Sequence, residues 1–266
     1  MENKKGLERR DFIKLGLAGL AVAAASPKLV SRSKPDTSNA TPTEEKSTHS
    51  WAMVIDQAKC VGCGHCISAC KAYNDVPPDI EWTRLVETDE VNGEKTFIPI
   101  PCMHCEDAPC VNYCPAGATY HRDDGIVMMD YDRCFGCRYC EAACPYGARS
   151  FNWEAFTGDN PEVPAWGQPE VARRPRGVVE KCSFCYQRID RGLEQGLTPG
   201  VDQAATPACV VACPMGARIF GDLNDPESPV SKALASHGSF RLKEGLGTKP
   251  RVYYLPDHEE ISEEVG

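Results

Sequence analysis

Short apolar runs separated by cysteine-rich polar turns make up most of this chain. Four runs of strand length each lead into a group of cysteines, namely Trp51–Asp56, Phe97–Pro101, Ile126–Asp130 and Val178–Glu180. After three of the groups the letters Cys-Pro-x-Gly-Ala recur and the chain becomes apolar again, at Thr119-Tyr120, Ser150-Phe151 and Ile219-Phe220. This recurrence predicts an internal repeat of leading strand, cysteine loop, helical turn and trailing strand.

The stretches between the repeat units depart from this pattern. Lys71, rather than proline, follows the first group, so the helical turn there is expected to continue through Tyr73. Residues 154–177 and 192–207 are rich in proline and glycine, which predicts surface loops. Together these features favour an α+β class that is rich in loops, with short β-hairpins and short helices.

The cysteines carry the candidate chemistry, and all sixteen belong to four groups of four. Group 1 is Cys60, Cys63, Cys66 and Cys70; group 2 is Cys102, Cys105, Cys110 and Cys114; group 3 is Cys134, Cys137, Cys140 and Cys144; group 4 is Cys182, Cys185, Cys209 and Cys213. Groups 1 and 3 have the spacing C-x2-C-x2-C-x3-C, group 2 has C-x2-C-x4-C-x3-C, and group 4 has a long insertion between its second and third cysteines. Four such groups predict four [4Fe–4S] clusters.

The spacing follows from the geometry of a cubane. Three cysteines in one tight loop turn their sulfurs onto three irons, while backbone amides of the loop point at the cluster sulfides and screen their charge. The fourth cysteine begins a helix and faces away, so in bacterial ferredoxins it ligates the other cluster of a pair. Groups are therefore expected to exchange their fourth cysteines in twos.

Other uses of cysteine fit the pattern less well. Zinc sites close at four ligands and give no reason for a regular third cysteine followed by a Cys-Pro step. Disulfides among neighbours this crowded make a poor framework, and a chain of 266 residues can bury a core without them. Haem attachment, dinucleotide-binding and phosphate-binding motifs are absent from the sequence, so no small-molecule substrate site is predicted.

The distances between groups indicate which of them pair. Only 19 residues separate groups 2 and 3, against 31 between groups 1 and 2 and 37 between groups 3 and 4. Groups 2 and 3 are therefore expected to form a compact unit inserted into an outer one made by groups 1 and 4. The predicted ligands are set 1, Cys60, Cys63, Cys66 and Cys213; set 2, Cys70, Cys182, Cys185 and Cys209; set 3, Cys102, Cys105, Cys110 and Cys144; and set 4, Cys114, Cys134, Cys137 and Cys140.

This pairing defines the predicted domains. We expect two nested ferredoxin-like domains with a pseudo-twofold relation, the outer one formed by residues 51–100 and 154–221 and the inserted one by residues 101–153. Residues 222–266 are expected to wrap the core as a C-terminal extension.

Charge narrows the choice of partners. The formal net charge is -9, and each oxidised cluster with four thiolates adds about two negative charges. Nucleic acid requires a basic footprint and is not an expected partner, whereas proteins with basic docking surfaces are. Lys59, Arg133 and Lys181 directly precede the first cysteine of three groups. Each is either a charge that raises the local reduction potential or a solvated cation of the loop.

The first 26 residues are predicted to be a signal peptide for export. Arg9-Arg10-Asp11-Phe12-Ile13-Lys14 matches the twin-arginine export pattern, and a short apolar run from Leu15 to Ala25 follows it. That run is shorter than the roughly 20 residues that a bilayer span needs. Export of a folded protein by this route also lets clusters be built in the reducing cytoplasm. Residues 27–50 are polar and rich in Ser, Thr and Pro, which predicts a flexible linker.

Over residues 51 to about 256 the chain resembles the iron–sulfur electron-transfer subunits of the dimethyl sulfoxide reductase superfamily. The resemblance is carried by Cys102-Met-His-Cys-Glu-Asp-Ala-Pro-Cys110, Arg133-Cys-Phe-Gly-Cys-Arg-Tyr-Cys140, Lys181-Cys-Ser-Phe-Cys185, Asp222-Leu-Asn-Asp-Pro226 and Leu246-Gly-Thr-Lys-Pro-Arg-Val-Tyr-Tyr-Leu255. It implies the same nested pairing and a wire of four cubanes, with catalysis carried out by other subunits.

The resemblance also implies where the protein works. Because this chain carries its own export pattern, it is similar to the exported subunits of nitrite-, tetrathionate- and sulfite-linked complexes, and the sulfite-linked group, with its DsrO-like proteins, is favoured. The implied neighbours are a quinone-reactive integral membrane subunit of the NrfD or polysulfide-reductase type and a further redox subunit. The expected location is the periplasm, at the outer face of the cytoplasmic membrane. The beta subunit of a molybdopterin reductase, or of a nitrite-reductase electron supply, is the alternative.

Overall fold

The computed structural model describes residues 47–88 and 95–256. The described residues do not include the predicted signal peptide, most of the predicted linker or the last ten residues of the C-terminal extension. Within these ranges no helix is both long and apolar enough to cross a membrane.

The described chain is built from short elements. The strands are β1 (Trp51–Asp56), β2 (Thr83–Glu87), β3 (Phe97–Pro101), β4 (Thr119–His121), β5 (Val127–Met129), β6 (Ser150–Phe151), β7 (Val179–Glu180), β8 (Arg218–Asp222) and β9 (Val252–Leu255). The α-helices are α1 (His65–Tyr73), α2 (Pro109–Asn112), α3 (Tyr139–Ala142), α4 (Tyr186–Glu194), α5 (Ala208–Val211) and α6 (Pro229–Ser236). Small sheets and short helices in an α+β arrangement were expected, and this part of the fold prediction is confirmed.

Each leading apolar run contains a strand, and each trailing run does too. The leading strands are β1, β3, β5 and β7, and the trailing strands after groups 2, 3 and 4 are β4, β6 and β8. The helix after group 1 ends at Tyr73, as the absence of proline predicted. The repeat of strand, loop, helical turn and strand is confirmed because the apolar runs and the Cys-Pro steps fix it locally.

Strand pairing ties the repeat units together. β1 lies between β8, which is antiparallel to it, and β9, which is parallel to it. The other sheets are the antiparallel pairs β2–β3, β4–β5 and β6–β7. The β6–β7 pair joins a strand of the predicted inserted domain to one of the predicted outer domain. The domain boundaries and the pseudo-twofold relation between the halves stay predictions.

Both faces of β1 are buried, which explains why it shows no alternation of apolar and polar residues. Trp51, Met53 and Ile55 face the main core, while Ala52 and Val54 pack in a second cluster with Val230 and Leu255. Helix α6 covers that second cluster and is capped by Ser228, whose Oγ accepts a hydrogen bond of 3.2 Å from the backbone N–H of Ser231.

The main core is continuous and cysteines form part of it. Its buried members include Cys70, Cys102, Cys105, Cys110, Cys140, Cys182 and Cys209. The core therefore includes cysteines from all four of the groups that were predicted to bind metal.

One of the predicted loops is partly helical. Residues 192–194 belong to α4, and Gln203–Ala205 forms a single 3-10 turn. The cause is a close approach that composition does not reveal: a Cβ atom on Gly192 would lie 2.3 Å from the Cβ of Ala205. Glycine lets the helix pack directly on this turn.

Candidate metal centres

The four cysteines of set 1 line one cavity. Cys60, Cys63, Cys66 and Cys213 surround it together with Gly62, Met215 and Arg218. Cys63 is exposed and the other three are half-buried. Burial raises the pKa of Cys60, and the nearby thiolates of Cys66 and Cys213 raise it further.

The four cysteines of set 4 line a second cavity. Cys114, Cys134, Cys137 and Cys140 surround it, and Cys137 is exposed. Burial acts to raise the pKa of Cys114, but hydrogen bonds from the backbone N–H groups of Thr119, Ala116 and Ala118 lower it overall. This ring of amides is the environment that a thiolate bound to a cluster requires.

Set 2 lies in the interior. All four of its cysteines are buried. Burial raises the pKa of Cys70 well above its ordinary value, and the thiolates of Cys185, Cys182 and Cys209 add to the effect. The structure therefore places the last cysteine of group 1 near three cysteines of group 4.

Set 3 is also mostly interior, with Cys102, Cys105 and Cys110 buried and Cys144 half-buried. Burial and the thiolate of Cys102 raise the pKa of Cys105 to about 12, and the thiolates of Cys110 and Cys144 contribute. Four thiolates this close repel one another, and bound metal ions remove that repulsion.

Across the described residues, no three His, Cys, Asp or Glu side chains converge as they would around a single metal ion. The cysteines of sets 1 and 4 instead surround cavities. A cavity walled by four sulfurs is the arrangement that fits a cubane.

The sets follow one another in a row. Burial and neighbouring thiolates, among them that of Cys66, raise the pKa of Cys209 to about 12, which places sets 1 and 2 side by side. Burial raises the pKa of Cys182, as does the thiolate of Cys102, so sets 2 and 3 are neighbours. Burial raises the pKa of Cys140, as does the thiolate of Cys110 of set 3. The two sets at the ends are partly open to solvent, and the two in the middle are enclosed.

The residue before the second cysteine of each group has left-handed backbone conformation. It is Gly62 with φ 69°, His104 with φ 43°, Gly136 with φ 75° and Phe184 with φ 54°. At Gly136 a Cβ atom would lie 2.2 Å from the carbonyl oxygen of Gly177, so only glycine fits. The left-handed position is thus a glycine in the loops of the two end sets and a residue with an aromatic ring in the loops of the two middle sets.

Several buried donors lack a partner within the described part of the chain. They include Nε2 of His104, Nη2 of Arg149 and Nη2 of Arg218. The backbone N–H of Val127 donates to Nδ1 of His104 at 3.0 Å, which leaves the proton of the neutral ring on Nε2. Buried donors are rarely left unpaired, and cluster sulfides are suitable acceptors. This donor set fits clusters.

Asn74 contacts two sulfurs of set 2. Its Nδ2 donates to Cys185 Sγ at 3.5 Å and lies 3.7 Å from Cys70 Sγ. Asn74 is buried at the end of α1, and no sequence feature singled it out. Its position four residues after Cys70, one helical turn on, is the signal that was available.

The cations predicted from their position before a cysteine separate into two kinds. Lys59 and Arg133 are largely exposed and pair with Asp56 and Asp130 respectively, so water screens them. Lys181 is only 2% exposed. Arg149 and Arg218 are equally enclosed, although only their place after the repeated Cys-Pro-x-Gly-Ala letters could have pointed to them.

Comparisons with known proteins agree with this description. The sequence profile of the 4Fe-4S dicluster domain family matches residues 94–159, and that of the 4Fe-4S binding domain family matches residues 51–72. The chain therefore binds [4Fe–4S] clusters.

Three relatives match most of the chain. A subunit of the selenate reductase of Mesobacillus selenatarsenatis is 43% identical over 77% of this chain and 71% of its own. The iron–sulfur cluster-binding subunit of the menaquinone reductase of Nitratidesulfovibrio vulgaris is 43% identical over 79% of this chain and 89% of its own. Iron–sulfur subunit 1 of the Hdr-like menaquinol oxidoreductase of Archaeoglobus fulgidus is 38% identical over 93% of this chain and 97% of its own.

Proposed function

Because this chain belongs to the iron–sulfur electron-transfer subunits of the dimethyl sulfoxide reductase superfamily, we propose that it carries single electrons through four [4Fe–4S] clusters in a membrane-bound respiratory complex. It is an electron-carrier subunit of an oxidoreductase complex, and catalysis belongs to other subunits. The observation that carries the proposal is the row of four cysteine sets with open ends and an enclosed middle.

A bound [4Fe–4S] cluster supplies a site that gains and loses one electron without forming a bond to a substrate. The cysteines of sets 1 to 4, as defined above, are the proposed ligands. The apolar core excludes water from sets 2 and 3, while backbone amides near Cys114 and the side chain of Asn74 donate to sulfur. The hydrogen bonds to sulfur favour the reduced, more negative state of a cluster.

The open ends are the proposed points of electron exchange with partners. Val61 and Met215 are exposed beside set 1, and Phe135 and Tyr139 are exposed beside set 4. Exposed apolar side chains next to a redox site suit contact with another protein. One end would face a quinone-reactive integral membrane subunit of the NrfD type, and the other a further redox subunit.

The proposed partner follows from the names of two relatives. One is a subunit of a menaquinone reductase and another of a menaquinol oxidoreductase. The match to the second covers nearly all of both chains, which supports a complex of that kind. We favour a sulfite- or sulfur-linked complex, as the resemblance implied. The alternative is the beta subunit of a molybdopterin reductase, which the similarity to a selenate reductase subunit supports.

The proposed location is the periplasmic face of the cytoplasmic membrane. The twin-arginine pattern at Arg9 and Arg10 supports export of the folded, cluster-loaded protein. Fractionation of cells that express the full chain tests this directly. Replacing Arg9 and Arg10 by lysine should retain the protein in the cytoplasm.

Two measurements test the function. Anaerobically purified full chain should contain close to sixteen irons and give the spectra of four reducible [4Fe–4S] clusters. Finding about four zinc ions, or markedly fewer irons, would refute the cluster count. Gentle membrane extraction followed by mass spectrometry should identify a multi-helix quinone-reactive subunit among the co-purifying proteins. A molybdopterin subunit in its place would favour the alternative.

A further inference from the structure

Three buried cations stand at the places where neighbouring cysteine sets meet. Arg149 and Arg218 are each 4% exposed, and Lys181 is 2% exposed. Within the described ranges, none of the three forms an ion pair with a carboxylate. We call them the junction cations.

Arg218 lies between sets 1 and 2. Its side chain lines the cavity of set 1, and its Nη1 donates to Cys209 Sγ of set 2 at 3.6 Å. Burial acts to lower the pKa of Arg218, but the thiolates of Cys209 and Cys66 raise it overall. The guanidinium therefore responds to thiolates of both sets.

Lys181 lies between sets 2 and 3. Its Nζ donates to the carbonyl oxygen of Cys182 at 2.7 Å and also to that of Val127. Burial lowers the pKa of Lys181, while the thiolates of Cys102 in set 3 and Cys182 in set 2 act in the opposite direction. Its neighbours thus again come from two sets.

Arg149 lies between sets 3 and 4. Burial acts to lower the pKa of Arg149, but the nearby thiolates of Cys110 in set 3 and Cys140 in set 4 raise it overall. Its Nη1 donates to Thr119 Oγ1 at 3.2 Å and to Met129 Sδ at 3.0 Å, which fixes the side chain in place.

The repeat explains two of the three positions. Arg149 and Arg218 each stand five residues after the last cysteine of their group, directly after Cys-Pro-x-Gly-Ala. Thr119 is the equivalent residue after group 2, and it accepts the hydrogen bond from Arg149. Each arginine also contacts a methionine sulfur on a leading strand, Met53 for Arg218 and Met129 for Arg149.

We propose that Arg218, Lys181 and Arg149 each hold a fixed positive charge between two neighbouring clusters and raise the reduction potentials of both. The proposal rests on the proposed function, since it requires a cluster in each set. An added electron makes a cluster more negative, so a cation in a poorly solvated site stabilises the reduced state.

The junction cations offset the effect of burial on the reduction potentials of the middle clusters. An enclosed cluster loses the solvent that would stabilise an added electron, so the middle sets should otherwise have the lowest potentials. Each of the middle sets borders two junction cations, and each end set borders one. The cations therefore keep the interior of the row reducible.

The test is a redox titration of the full chain with its clusters, followed by electron paramagnetic resonance and accompanied by iron determination. Arg218→Met, Lys181→Met and Arg149→Met remove one charge each while keeping an unbranched side chain. Each variant should shift two of the four potentials downward. Arg218→Met and Lys181→Met should share one shifted cluster, and so should Lys181→Met and Arg149→Met. Arg218→Met and Arg149→Met should share none.

Arg133→Met is the matched control. Arg133 precedes Cys134 just as Lys181 precedes Cys182, but its side chain is 68% exposed. Water and salt screen an exposed charge, so this variant should shift the potentials much less than Lys181→Met. The charge-preserving variants Arg218→Lys, Lys181→Arg and Arg149→Lys should keep most of the wild-type potential.

The outcomes are distinct. A neutral variant that retains its iron but shows no downward shift overturns the role of the cations and leaves the proposed function intact. An equal shift in Arg133→Met also overturns it, because burial would then be irrelevant. A wild-type chain without [4Fe–4S] clusters refutes the proposed function itself. If one neutral variant fails to load iron, the other two junctions and the three charge-preserving variants still decide the question.

Discussion

The rings of His104 and Phe184 stack with 3.8 Å between their centroids and 28° between their planes. Both residues have left-handed backbone conformation, which costs a non-glycine residue about 1 kcal/mol or more. Burial of the stacked rings between sets 2 and 3 offsets that strain. The two enclosed sets are thus joined by the residues that shape their loops.

This stack should be important for stability. Phe184 is 1% exposed, so Phe184→Ala should lower the free energy of unfolding by about 3 kcal/mol through lost burial and a cavity. Anaerobic unfolding in guanidinium chloride measures the change. The control Phe135→Ala removes a ring that is 65% exposed and should change stability by less than about 0.5 kcal/mol. Equal losses in the two variants would refute the importance of the stack.

Asn74 should tune one cluster alone. Asn74→Leu has a similar shape but cannot donate to Cys70 or Cys185, so the potential of one cluster should fall while the other three stay unchanged. A redox titration followed by electron paramagnetic resonance measures this. A shift in several clusters, or in none, would contradict a local effect. Asn224→Leu, at an exposed asparagine that bonds to Thr48, is the control.

Cys70 should belong to set 2 although it lies in the first cysteine group. Cys70→Ser should alter the same cluster as Cys182→Ser, whereas Cys63→Ser should alter a different one. Spectra of the three variants, recorded on anaerobically prepared protein, decide this. If Cys70→Ser and Cys63→Ser changed the same cluster, the exchange of fourth cysteines would be wrong.

The loop of group 3 should tolerate no side chain at Gly136. Gly136→Ala places a methyl group against the carbonyl oxygen of Gly177, so the loop must move and iron content should fall by about one cluster. Gly64→Ala is the matched control, because Gly64 also has positive φ but a Cβ atom there would meet no other atom within 4 Å. Iron determination should show much less loss there.

Asp75 should stabilise the fold only above acidic pH. Burial acts to raise the pKa of Asp75, but hydrogen bonds from Arg173 and Asn160 lower it below the ordinary value. A carboxyl with a lowered pKa stabilises the fold above its unfolded pKa of about 3.9, and this contribution disappears as the pH falls through the folded pKa.

We therefore expect Asp75→Asn to be about 1 to 2 kcal/mol less stable than wild type at pH 7, with a deficit that shrinks below about pH 4. Anaerobic thermal unfolding across this pH range measures it. A deficit that is constant down to pH 3 would contradict the ion pair with Arg173. Glu227→Gln, at an exposed pair with Lys232, should show no measurable change.

The sequence predicted those features that depend on residues near one another in the chain. The cysteine groups, the strands before them and the helix ending at Tyr73 follow from local spacing and from the position of proline. Arg149 and Arg218 were visible as letters, but their burial depends on packing that the letters do not show, against Met129 on the leading strand 20 positions earlier and against Met53 from another repeat unit. Strand β9 was not predicted, because its parallel pairing with β1 joins residues about 200 positions apart.

The exposure of Cys63 and Cys137 decides where air would damage this protein first. Oxygen and other oxidants reach the loops of sets 1 and 4 before they reach the interior, so oxidative damage should begin at both ends of the row. A partly damaged molecule would then have lost the clusters at its two ends and kept the two in its interior. It would still contain iron and absorb visible light, but it could no longer exchange electrons with either partner protein.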